Sequence, residues 1–296
     1  MEGGWGIQMT MTSIPENLTA ALGRIVAAED VITAAPVAGL MAAFGADDPD
    51  PILGDPLPPL WHGLFCTAKL PPSRLGTDGL AKDEGLLPAA ADYPNKLFGG
   101  ARFDFRSPLR IGDRIHKESE VLSFDLKEGR SGAFIVGLVQ HRISNGDGIA
   151  VVEENDIIFL PASPVTTGGG SSQEPPPLPP ATTTRTVTPD PVLMFRHSAL
   201  TFNSHRIHYD RGYAADKGYP GLLVQGTLIA RLMLDGLEKD LPGFAVGSFA
   251  FRSSKPIYDN DDFTIGMRVD GDTAEFWAAD RRGFIGMTAN VTAVGA

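Results

Sequence analysis

The sequence predicts an α+β protein built from two similar units, each an antiparallel sheet wrapped around a central helix. Three observations carry this. Runs rich in β-branched and aromatic residues come in two sets of four, at 101–105, 115–124, 133–143 and 149–159, then at 245–252, 263–269, 273–279 and 285–293. The string Phe103-Asp104-Phe105-Arg106-Ser107 is echoed by Phe249-Ala250-Phe251-Arg252-Ser253, and each precedes a proline, an acidic turn and three further strands. Between the sets lies 161–183, with seven prolines from Pro161 to Pro180 and a Gly/Ser run at 168–172. Such a segment buries too little apolar surface to order itself and reads as a linker. The organisation expected is a lead-in at 1–13, a first unit at 14–160, the linker, and a second unit at 184–296.

Composition narrows the function classes. The 296 residues suit one large domain or two of about 150, and 43% hydrophobic content is enough for a full core. With 25 basic and 36 acidic residues the formal charge is −11, which argues against nucleic acid as a partner. Cys66 stands alone, so no intrachain disulfide forms and a reducing compartment is expected. The first residues lack a basic stretch followed by an apolar one, so no signal peptide is read. The apolar run at 31–44 is broken by Pro36 and falls short of the ~20 residues of a membrane span. A cytoplasmic protein with no membrane contact is expected.

In chain order, 14–44 shows helical spacing, with Pro36 placed between two helices. From 49 to 100 the chain is rich in Pro and Gly and is expected to drape over the core around 60–65. Trp61 and His62 either line a pocket there or, for the histidine, serve packing alone. Turns at 125–132 and 144–148 join the last three strands of the first unit. In the second unit a helix is expected at 192–200, and another at 226–237 with Leu228, Ile229, Leu232, Met233 and Leu237 as its buried stripe.

The chemistry concentrates just before that helix. Asn203, His205, His208 and Asp210 fall within eight positions, and two of the chain's six histidines lie three residues apart among small polar residues. Gly226 then opens the helix, whose first N–H groups and positive dipole end face whatever binds there.

These residues, with Tyr219-Pro220-Gly221 and Gly226, resemble the MaoC-like hotdog-fold family of (R)-specific enoyl-CoA hydratases and dehydratases. Within it they are most similar to the mesaconyl-CoA and itaconyl-CoA (3-methylfumaryl-CoA) hydratase type. The family signature Asp-x-Asn-x-x-His-x-Asp falls on 203–210, with His208 and Asp210 matching, Asn203 in place of the first acid and His205 in place of the middle Asn. The resemblance extends to 53–65 and 97–160 and so covers most of the chain. It implies a tandem (double) hotdog with its site at the seam, and a hydro-lyase acting on an acyl-CoA or acyl-carrier-protein thioester. The stretch at 43–49 is either a weakened copy of the motif or a plain helix exit.

Hydrating an enoyl-thioester requires a base for water, a proton for C2 and donors for the thioester oxygen. His208 is the natural base. Asn203 orients water or thioester, the Gly226 N–H suits an oxyanion hole, and His205 either fixes the His208 tautomer or serves as a second acid. Asp210, Tyr219, Gly221 and Arg206, with Trp61, His62 and Arg102 from the first unit, are the candidate substrate-binding residues. Phosphates need cations, for which Lys96, Arg102, Arg106, Arg110, Arg114, Arg206, Arg211 and Lys217 are candidates. The His-x-x-His spacing also admits zinc, though no third Cys or His lies near, so no metal or other cofactor is expected. A small branched or dicarboxylic acyl group and a homodimer of double-hotdog chains complete the picture. The alternative is a non-catalytic thioester-binding protein, or one recruited to another biosynthetic reaction.

Overall fold

The computed structural model describes residues 13–45, 50–82, 85–129, 132–161 and 174–296. Most of the expected lead-in, most of the 43–49 stretch and the Gly/Ser part of the linker lie outside them. Ten strands form one sheet in the order β1-β3-β4-β5-β2-β7-β10-β9-β8-β6, every neighbouring pair antiparallel. The first five strands are β1 (Ile25–Val31), β2 (Asn95–Phe105), β3 (Arg114–Gly129), β4 (Gly132–Asn145) and β5 (Gly148–Leu160). The second five are β6 (Thr183–Val187), β7 (Val246–Ser253), β8 (Phe263–Asp270), β9 (Thr273–Ala279) and β10 (Ile285–Ala293). The order of one half mirrors the other about β2 and β7, where Phe103 lies directly opposite Phe249. The echoed strings are therefore the seam of a double hotdog.

Three expectations need correction. The 14–44 stretch is not two helices: it holds a short helix, α1 (Glu16–Thr19), then strand β1, then α2 (Ala34–Ala43). The Ala-rich strand reads as helix, but pairing with β3 from Ile25↔Glu120 to Val31↔Arg114 overrides that propensity. Pro36 sits in the first turn of α2, where its missing N–H has no helical partner to lose. The turn at 125–132 is shorter than expected, because β3 and β4 stay paired as far as Gly129↔Gly132. Strand β6 was not expected, and its first residue was placed in the linker: its Thr-rich sequence has no apolar face, and pairing with β8 makes it an edge strand.

The second half-sheet wraps α5 (Gly226–Asp240), which buries Leu228, Ile229, Met233 and Leu237 against Phe249, Phe276, Met287 and Val291. The first half-sheet has no such helix among its described residues. Residues 50–82 and 85–94 pack against it instead, with 3-10 turns at Trp61–Leu64 and Pro72–Arg74. Its core is accordingly divided, one cluster around Leu40, Trp61 and Ile143 and another around Phe124, Ile135 and Phe159. Among the described residues no helix is long and apolar enough to cross a membrane.

Candidate active site

Helix α3 (Pro191–Leu200) starts cleanly because the Asp190 carboxylate accepts from the N–H groups of Val192 and Leu193, with Pro191 in the first turn. Past its end the Asn203 N–H donates to the Ser198 carbonyl, 2.8 Å, and Asn203 Oδ1 accepts the His205 N–H, 3.1 Å. This Asx turn delivers the 3-10 turn Arg206–His208. His208 is buried, and its Nδ1 donates to the Leu223 carbonyl at 2.7 Å. That bond places the proton on Nδ1 and leaves the lone pair on Nε2. Burial pushes the imidazole pKa down to about 4, with the Leu223 carbonyl opposing and His205 adding to the fall. At neutral pH it is an unprotonated base.

His205 stands edge-on to His208, ring centroids 5.6 Å apart. Burial lowers its pKa, Asp78 opposes this and Lys217 adds to it. Since Leu223 sets the His208 tautomer, His205 is not needed for that task. Gly226 is the first residue of α5. Its N-cap, Gln225, donates its side-chain amide to Met194 O and Ser198 Oγ, tying α5 to α3. Leu228 and Ile229 donate to the Gln225 carbonyl, so the Gly226 and Thr227 N–H groups have no partner within the helix.

The first unit reaches into this site through a part of the chain with no sequence periodicity. The hairpin closed by Leu75↔Ala81 lies on the motif loop. Ser204 Oγ donates to the Gly79 carbonyl (2.6 Å), the Arg206 N–H to the Asp78 carbonyl (2.8 Å), and Arg206 Nη1 to the Thr77 carbonyl (2.9 Å). Gly79 has φ +85°, and a Cβ there would lie 2.0 Å from the Ser204 carbonyl oxygen, so only glycine fits. Arg231 was also missed. Fully buried on α5, it donates through Nε and Nη2 to the Leu60 carbonyl and through Nη1 to His197 Nε2 (2.8 Å). Burial lowers its pKa to about 10, so it stays charged. A charge within an apolar helical stripe was its signal in the sequence.

The other candidates separate into three groups. Asp210 caps α4 (Arg211–Asp216) by accepting the Tyr213 N–H, and that bond and Arg206 hold its carboxyl below the usual range. Arg206 grips Asp210 at 2.7 Å and lies over the Tyr213 ring. These two hydrogen-bond each other and the backbone of the loops around them. Tyr219 packs beside Tyr258, and Gly221 leaves room for Asn260, whose amide donates to the Pro220 carbonyl. Trp61 and His62 are buried in the first unit; His62 Nε2 meets Glu153 Oε2 at 3.1 Å between Phe103 and Phe105.

Arg102 requires a correction. It lies on the exposed face of β2, opposite Phe103, and is occupied by Glu154 and Asp156. Several other proposed phosphate-binding cations are likewise engaged: Arg106 by Asp104, Arg110 by the Gly54 carbonyl, and Arg211 by Asp259. Among the described residues no group of three or more His, Cys, Asp or Glu is arranged to hold a metal.

Comparison with known proteins agrees with this fold. The family model described as hydroxyacyl-thioester dehydratase type 2 matches residues 60–259. A protein named mesaconyl-C(4)-CoA hydratase, from Chloroflexus aurantiacus, is 38% identical over 272 residues, covering 91% of this chain and 95% of that one. Among solved structures, a MaoC-like dehydratase from Phytophthora capsici superposes with a TM-score of 0.66 at 16% identity, covering 94% of this chain and 97% of the other. A Mycobacterium tuberculosis protein with a double hotdog fold gives 0.54 at 16% identity, covering 92% and 96%. At such identities the structures speak for the fold alone.

Proposed function

The chain belongs to the hydroxyacyl-thioester dehydratase type 2 family, and on that premise we propose that His208 is the base of a hydratase acting on a short acyl-CoA. That the chain is a hydratase or dehydratase of acyl thioesters follows from the family and the relative together, and this sets aside the non-catalytic alternative. The observation that carries the assignment is the 2.7 Å bond from His208 Nδ1 to the Leu223 carbonyl, which leaves Nε2 unprotonated and oriented.

In the hydration direction Nε2 takes a proton from water as its oxygen bonds to C3. The C2–C3 π electrons move toward the thioester carbonyl, whose oxygen gains charge beside the Gly226 N–H and the positive end of α5. A proton then reaches C2, either from the imidazolium of His208 or through His205. Asn203 carries no titrating proton and orients water or the thioester by its amide. Dehydration runs the same steps in reverse. The reaction asks for no group beyond these residues and the thioester.

For the acyl group, the 38% relative favours a small, branched dicarboxylic chain such as the mesaconyl group in its name. The test follows the conjugated thioester absorbance with a panel of enoyl-CoA compounds. Turnover of short dicarboxylic enoyl-CoA, lost in His208→Ala while the fold persists, is the expected result. Undiminished turnover in that variant would move the base elsewhere.

A further inference from the structure

We propose that the adenosine-phosphate end of coenzyme A docks in a cleft of about 810 Å³ beside the motif loop, where Lys69 and Arg114 receive its phosphates. The proposal rests on the thioester reading and specifies the carrier.

The cleft is of the size that holds cofactor-sized ligands. One wall is Ala199, Leu200 and Phe202, the residues just before Asn203, and the other is the ends of β1, β3 and β4. Neither His205 nor His208 lines it. It lies beside the motif loop rather than at the histidines and suits the part of a ligand that does not react.

Its charge departs from that of the molecule as a whole. In a chain of net charge −11, Lys69, Arg114 and His116 converge here. Among the described residues neither Lys69 nor Arg114 has a carboxylate within 4.0 Å, whereas eight other arginines do. Two carboxylates share the cleft. Asp30 is already occupied, its oxygens accepting the N–H groups of Val31 and Cys66 at 2.9 Å. Glu29 stands at the rim, its side chain 84% exposed and 3.8 Å from His116. Unpaired cations in an acidic protein are what phosphate recognition requires.

The aromatic content points to a base as well. Phe202 keeps φ +52°, a costly backbone for a bulky residue, and the residue, 53% exposed, lines the cleft. Phe65 forms part of the same lining. A nucleotide base stacks on such rings without needing hydrogen-bond readout. An acyl carrier protein presents the same pantetheine arm but no adenosine phosphate, so a cleft built this way selects coenzyme A.

One enoyl group carried on coenzyme A, on dephospho-coenzyme A and on pantetheine tests this with the unaltered protein. KM should rise about tenfold when the 3′-phosphate is lost, and again for pantetheine, with kcat nearly constant. Equal KM for the three handles, or equal use of an acyl-carrier-protein thioester, overturns the proposal. The Lys69→Ala/Arg114→Ala double variant should raise KM about tenfold for the coenzyme A thioester and leave the pantetheine thioester unaffected; a parallel loss on both overturns it. Glu29→Gln should lower KM for the coenzyme A thioester alone. Calorimetry with adenosine 3′,5′-bisphosphate decides independently of turnover: binding by the unaltered protein supports the cleft, and no binding overturns it. If no thioester turned over while the nucleotide bound, the hydratase reading would fail and the cleft would stand.

Discussion

Across the middle of the sheet, one row of opposed residues differs between the two halves. Outward from the seam the second half reads Phe249, Val291, Ala274, Val269. The mirrored row in the first half reads Phe103, Glu153, His141, Ser119. The apolar row is covered by α5. The polar row is covered by segment 50–94, which brings His62 to Glu153 while His141 Nδ1 meets Ser119 Oγ at 2.7 Å. Burial pushes the Glu153 carboxyl up, but the His62 hydrogen bond and the nearby His141 and Lys117 outweigh it and hold the group ionised. In the first half the partners of that ionised carboxylate come from the extended segment and from β3 and β4. The half that gave up the helix has instead an extended segment long enough to reach the other half's motif through the Gly79 hairpin. The two halves thus differ in their cover: one wraps α5 and carries the motif loop, the other is covered by an extended segment.

The largest effect expected tests where the base lies. His208→Ala should cost about 10²–10⁴ in kcat with the fold intact, while His62→Ala should leave kcat within a few-fold; a reversed order in steady-state kinetics would place the chemistry in the first half. Next comes the hairpin. Gly79→Ala must move backbone off the Ser204 carbonyl, and displacing a catalytic loop by about 1 Å costs on the order of 10²-fold in rate. Gly243 has a similar φ of +86° with nothing within 4 Å of a Cβ, so Gly243→Ala should leave kcat alone.

Stability sharpens the same contrast. Glu153→Val imports the second half's residue but strands His62 and the Asn155 amide, for a loss of about 3 kcal/mol in denaturant unfolding. Adding His62→Leu should recover part of it, and strict additivity of the two losses would show that the pair is not coupled.

The pH dependence draws on both halves, since burial brings His141 and His208 each to about 4. Their folded values lie below the ~6.5 of the unfolded chain. The stability they confer is therefore complete above ~6.5 and lost as pH falls toward 4, by on the order of 3 kcal/mol per histidine. The acidic limb of kcat/KM should lie near 4, well below the unperturbed histidine range. A limb at 6.5 would mean that the His208 base is solvated. The smallest effect is at Asn203: Asn203→Asp should move that limb upward by placing a negative charge near His208, and an unmoved limb would put residue 203 out of electrostatic reach.

Much of this molecule was legible locally. Strand runs, the echoed Phe-x-Phe-Arg-Ser strings and the α5 stripe are periodic, and periodicity survives in one dimension. His208 and Gly226 stood out because polar residues packed against an apolar helix start have few structural uses. What was lost lay where propensity and partner disagree. β1 reads as helix until β3 pairs with it, and β6 carries no strand signal until β8 pairs with it.

Residue chemistry by itself determined that the chain carries two sets of strands and a histidine-bearing polar loop just before an apolar helix. Tertiary structure alone decided the tautomer of His208 and its company. The Leu223 carbonyl that sets its tautomer lies 15 residues away, and the Gly79 carbonyl that holds its loop lies 125 residues from Ser204. Arg102 and Arg114 are alike in sequence, yet one faces carboxylates and the other a cleft. Burial, tautomer and ion pairing depend on which groups meet in space, and those meetings are made by strand register and loop docking, which leave no period in the chain.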